Sequence, residues 1–138
     1  MSRPALPLAL GAAAAGGVIG SLARYGLTVW SPVGTGFPWT VFWINVVGCG
    51  LLAAVPALPA VRRTPVVGVF LGTGVLGGFT TMSAASAETV SLFEAHHTGT
   101  GIAYSGGTLV AAVAVAWIVS RLVDPEAREA AEQDEVDL

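Results

Sequence analysis

Of the 138 residues, 54% are hydrophobic and only 11% are charged, and a mean hydropathy of +0.73 leaves too little polar surface for a domain that folds in water. Seven of the nine acids, Asp124, Glu126, Glu129, Glu132, Asp134, Glu135 and Asp137, lie beyond residue 123, so the net charge of -3 describes a tail. The lone Cys49, inside an apolar run, excludes a disulfide framework and a cysteine cluster for metal.

Four apolar stretches, at roughly 5–29, 38–60, 66–94 and 101–123, are each long enough for the about 20 helical residues that cross a hydrocarbon core. Backbone groups in lipid must be satisfied within the segment, and four spans are too few for a closed barrel, so the expected fold is an all-α integral membrane protein with four transmembrane helices. The first stretch follows Arg3 and has the shape of a secretory signal peptide, but three more spans come after it, which makes it a span. Arg24 lies near its end. Within the second stretch Asn45 is followed by Gly48 on the same helical face. An amide in lipid must either bond another helix or line water.

The third stretch is overlong. As one straight helix its residues would extend about 43 Å against a core of about 30 Å, so it must tilt or be interrupted. Its centre reads Gly77-Gly78-Phe79-Thr80-Thr81-Met82-Ser83, where two glycines lower helix propensity and two Thr hydroxyls compete for carbonyls. This predicts a mid-membrane break, tolerated only where the freed carbonyls face protein, a cavity or a bound ion. Close packing of small residues is the alternative. Glu88 follows on the same span, and it shares with Arg24 the property of being ionisable within apolar sequence. Such groups are functional candidates, with snorkelling to the interface as the other account. His96 and His97 read as a solvated loop without metal.

In the fourth stretch Tyr104 and Thr108, four residues apart, place two hydroxyls on one face. Anchoring of Tyr104 at the interface, with Thr108 bonded to its own backbone, is the alternative. Residues 1–123 thus form one transmembrane domain, and 124–138 read as a disordered acidic tail. Arg3, Arg62, Arg63, Arg121 and Arg128 fall on one side and Arg24 alone on the other, which predicts both termini in the cytoplasm.

The ordered set Gly17-x-x-Gly20-Ser21-x-x-Arg24-Tyr25, Asn45-x-x-Gly48, Gly77-Gly78-Phe79-Thr80-Thr81-x-Ser83 with Glu88, and Tyr104-x-x-x-Thr108 resembles the fluoride channel family (Fluc, also called CrcB). The likeness runs from about residue 11 to 123 and omits the tail. It implies a dimer of antiparallel, dual-topology-type subunits in the cell membrane, with paired narrow pores that release cytoplasmic fluoride without covalent chemistry. It also implies a structural Na+ at the dimer centre, held by the backbone carbonyls of Gly77 and Thr80. A carbonyl cage suits a hard cation. By the same resemblance Asn45 faces the pore, Thr81, Ser83, Tyr104 and Thr108 belong to the polar path, and Arg24 adds positive potential near a mouth or packs helices.

Two departures stand out. Members of the family usually carry phenylalanines at the positions of Met82 and Ala85, and the Thr between them is here Ala84. An aromatic edge can face an anion, whereas a thioether or a methyl cannot do the same. An arginine bias of five against one is also unexpected for a chain that inserts both ways. Together these favour a heterodimer subunit beside an oppositely oriented paralogue, with a self-sufficient homodimer as the alternative. Rival readings are a non-conducting membrane partner and a small proton-coupled drug exporter. The exporter needs a carboxylate in its first span, and residues 5–29 contain none. No nucleophile, base and orienting group occur together, so an enzyme is not expected.

Overall fold

The computed structural model describes residues 4–31 and 36–123; the acidic tail lies outside the described residues. Four helical spans dominate: α1 (Leu6–Trp30), α2 (Trp39–Ala54) with its single-turn extension Val55–Ala57, the third span Pro65–Glu94, and the fourth, Thr98–Leu122. Each is long and apolar enough to cross a membrane. The chain is therefore a multi-pass membrane protein, and its large exposed side chains, such as Leu22, Trp43, Val110 and Trp117, suit an apolar surrounding better than water. A short helix, α3 (Pro59–Arg63), links the second and third spans and carries Arg62 and Arg63 in its last turn. The loop holding His96 and His97 is only Ala95–His97, with His96 at a positive φ of 60°.

The third span is irregular. It opens as α4 (Pro65–Gly68), widens to a π-helical stretch over Val69–Leu76, returns to α5 (Gly77–Phe79) and resumes as α6 (Met82–Glu94). Between α5 and α6, Thr80 (φ -74°, ψ 155°) and Thr81 (φ -153°, ψ 119°) carry extended backbone. The fourth span is accordingly α7. π-Helical turns widen a helix and leave its carbonyls off the regular ladder.

Packing follows the glycines. α1 lies against the π-helical stretch and α5, α2 pairs with α7, and α6 with α7. At the first contact Gly16 and Gly20 of α1 oppose Gly74 and Gly78 of the third span. A Cβ on Gly20 would strike the Val75 carbonyl and come within 2.8 Å of the Phe79 nitrogen. A Cβ on Gly78 would meet Gly17 at 2.5 Å. These are small-residue pairs four apart, the spacing that lets two membrane helices touch backbone to backbone. The buried side-chain cluster lies elsewhere, around Val41, Ala85, Leu92 and Tyr104, with Phe37 and Phe42 packed on it.

Candidate functional site

Backbone carbonyls around Thr80 and Thr81 have lost their regular helical partners, and where each one turns defines the site. The Leu76 carbonyl keeps its helical donor, Thr80 N–H at 3.0 Å, and also accepts from Thr80 Oγ1 at 3.0 Å. In an unbroken helix Thr81 N–H would serve the Gly77 carbonyl; here it donates to Asn45 Oδ1 at 2.8 Å. Ala84 N–H would likewise serve Thr80, but it donates to Thr81 Oγ1 at 3.1 Å, capping α6. The donors of the Gly77 and Thr80 carbonyls are both diverted.

Asn45 is 8% exposed and grips the backbone of Thr81 from both sides, since Nδ2 also donates to the Thr81 carbonyl at 2.9 Å. A primary amide has two N–H groups, so one remains for a further acceptor. The helix-to-helix partner that the sequence demanded of Asn45 is thus the Thr81 backbone, and the residue also borders a cavity. That cavity, about 970 Å³ in volume, opens on one face of the bundle and gathers Asn45, Gly77, Thr80, Thr81, Thr108, Met82 and Ala85. Ser83 is not part of its lining; its hydroxyl pairs with Thr81 Oγ1 at 3.2 Å.

Thr108 is buried and donates to the Tyr104 carbonyl at 2.6 Å, so its hydroxyl hydrogen is engaged within α7. Tyr104 is fully buried within the bundle. Its hydroxyl donates to Glu88 Oε2 at 2.5 Å, and its ring stands edge-on to Phe37 at 5.3 Å. Glu88 therefore has an internal partner. It also borders a second cavity of about 730 Å³ at the α2 start, together with Thr40 and His97. Arg24 reaches the third span, where its Nε donates to the Gly78 carbonyl at 3.3 Å.

The sequence reading missed Ser86, Thr89 and Ser105, which line the larger cavity. Thr89 and Ser105 donate to carbonyls one turn back, while the hydroxyl of Ser86 forms no hydrogen bond among the described residues and stays available to a ligand. The signal was present in the spacing: Ser86 follows Met82 by four residues, and Ser105 precedes Thr108 by three. Met82 is 77% exposed on this face, and Ala85 is buried in the aromatic-flanked cluster. The arrangement offers carbonyl oxygens to a cation, and amide and hydroxyl donors to a small anion, on one open face.

Residues 11–119 match the model of the CrcB-like protein, Camphor Resistance (CrcB) family. The chain belongs to the CrcB family. It is 41% identical to "Fluoride-specific ion channel FluC 1" of Streptomyces coelicolor over 78% of this chain and 71% of that protein. It is 38% identical to a "Fluoride-specific ion channel FluC" of Thermus thermophilus, over 79% and 88%. A "Fluoride-specific ion channel FluC 2" of Thermobifida fusca is 39% identical over 86% and 93%. These CrcB relatives are named as ion channels and not as enzymes. The CrcB match contains every cavity-lining residue described above and ends within α7, before the acidic tail.

Proposed function

We propose that this CrcB protein is a subunit of a fluoride-selective channel that exports cytoplasmic fluoride down its electrochemical gradient and so lowers fluoride toxicity. The observation that carries this reading is the open 970 Å³ cavity, whose rim sets the free Asn45 N–H and the Ser86 hydroxyl near carbonyls with diverted donors. Donors of this kind replace part of an anion's hydration shell. The names of the relatives supply the anion.

A polar face of this size inside a membrane needs a cover other than lipid tails. A second, antiparallel subunit is the proposed cover, with the interruption at Thr80–Thr81 at membrane mid-depth on the shared face. The Gly77 and Thr80 carbonyls would then hold a structural Na+ between the subunits. Their diverted donors and the hardness of carbonyl oxygen fit that ion. The bound cation supplies positive charge at the centre of an anion channel; this chain's residues supply the turn that exposes the oxygens. Thr81 and Thr108 line the cavity, and Ser83 contributes through Thr81.

The second subunit is proposed to be an oppositely oriented paralogue, with this chain's termini in the cytoplasm. Met82 and Ala85 leave the anion path of this subunit without aromatic edges at those two positions, and an arginine distribution of five against one favours a single insertion. Fluoride efflux from liposomes separates the cases. The expected result is weak flux from the chain alone and strong flux after co-reconstitution with the paralogue, and a C-terminal reporter should be active on the cytoplasmic side only. Strong fluoride-selective flux from the lone chain, with reporter signal on both sides, would establish a dual-topology homodimer instead. Absence of fluoride flux in every combination would remove the channel reading.

A further inference from the structure

The carbonyl of Gly78 stands between the two proposed ion ligands, and it is treated differently from them. Its helical donor would be Met82 N–H, beyond the extended pair Thr80–Thr81. In place of that donor, Ser21 Oγ approaches at 3.4 Å and Arg24 Nε at 3.3 Å, both from α1. Ser21 and Arg24 are three residues apart and continue the helical face of Gly17 and Gly20. The bare contact of Gly78 on Gly17 brings α1 near enough for a side chain as short as serine to reach.

We infer that Ser21 and Arg24 are positioning residues for the ion site: by capping the Gly78 carbonyl from α1, they hold the 77–80 turn so that the Gly77 and Thr80 carbonyls stay free for a cation. This rests on the Na+ reading above. The guanidinium charge itself opposes a neighbouring cation, so the contribution of Arg24 is geometric, through the donor at Nε. Asn45 holds the opposite flank through Thr81, so the turn is clamped by two different helices. Partners that orient ion ligands without touching the ion change affinity by about 10 to 100-fold.

The test compares Arg24→Gln with Arg24→Met in the purified, assembled full-length protein. Both remove the charge. Glutamine places an N–H donor at the chain position of arginine Nε, and methionine places a methyl there. Thermal unfolding is followed as NaCl replaces N-methylglucamine chloride at constant ionic strength, without fluoride. The wild type should be stabilised by Na+, Arg24→Gln should respond at a similar or lower Na+ concentration, and Arg24→Met should need about tenfold more than Arg24→Gln. Ser21→Ala should shift the same way and Ser21→Thr should restore it, which keeps the test open if Arg24→Met does not assemble. Ser120→Ala, which loses only a local bond to Trp117, should leave the Na+ response unchanged. Equal responses of Arg24→Gln and Arg24→Met, with a responsive wild type, would overturn the positioning role alone. A wild type indifferent to Na+ would overturn the ion site as well.

Discussion

Asn45 shows how one side chain acquires two roles. Its amide substitutes for a stretch of helix backbone, giving Thr81 the acceptor and the donor that the extended conformation removes. Aspartate at this position keeps the acceptor for Thr81 N–H but sets a second oxygen against the Thr81 carbonyl. It also brings negative charge to the proposed anion path, where like charges about 4 Å apart repel by up to about 4 kcal/mol at an effective dielectric near 20. Asn45→Asp is therefore expected to lower both stability and flux. Asn45→Ala should lose about 1–3 kcal/mol of stability by leaving the Thr81 groups unsatisfied. Chemical unfolding of both variants, with liposome efflux of fluoride, checks this; wild-type stability in Asn45→Ala would show that Thr81 does not depend on the amide. Asn45 was legible in the sequence as a residue needing a partner, because an amide in lipid must have one. The identity of the partner was not, since it lies 36 residues away and belongs to backbone that no residue pattern marks.

Among the elements, the seam between α1 and the third span is the tightest contact. Gly20→Ala drives a methyl into the Val75 carbonyl, and overpacking of this kind costs about 1–3 kcal/mol. Gly26, on the same helix, is the matched control, because a Cβ added there would meet nothing within 4 Å. Gly26→Ala should be neutral or slightly stabilising, as alanine favours helix. Equal unfolding midpoints for the two variants would show that the seam yields. The spans themselves were readable from length and hydropathy, and the observed ends fall within a few residues of those expected except at α2, which gives way to a single turn at Val55–Ala57. The Gly-Gly-x-Thr-Thr run marked the place where extended backbone occurs. The π-helical stretch before it left no trace in the sequence, because Val69–Leu76 is apolar apart from Thr73 and carries no breaker but two glycines, and the stretch packs against the glycines of α1.

For the whole molecule, the decisive surface is the cavity face, which carries Cys49, the only thiol. Cys49 is partly exposed in the single chain. If a second subunit covers this face, a maleimide should label Cys49 slowly in the assembled protein and rapidly once the subunits are dissociated in harsher detergent. Equal labelling rates would place the partner on another face. The arginine distribution bears on this scale too, since orientation is a property of the inserted molecule and not of any one contact.

The glycine seam also limits how this protein can change over generations. A bulky substitution in an ordinary core can be offset by a smaller residue opposite. Opposite Gly20, however, stand the Val75 carbonyl and the Phe79 nitrogen, atoms that every amino acid contributes. No second substitution across the seam can make room, so a lineage that loses Gly20 is left with reversion as its route back to the same helix contact.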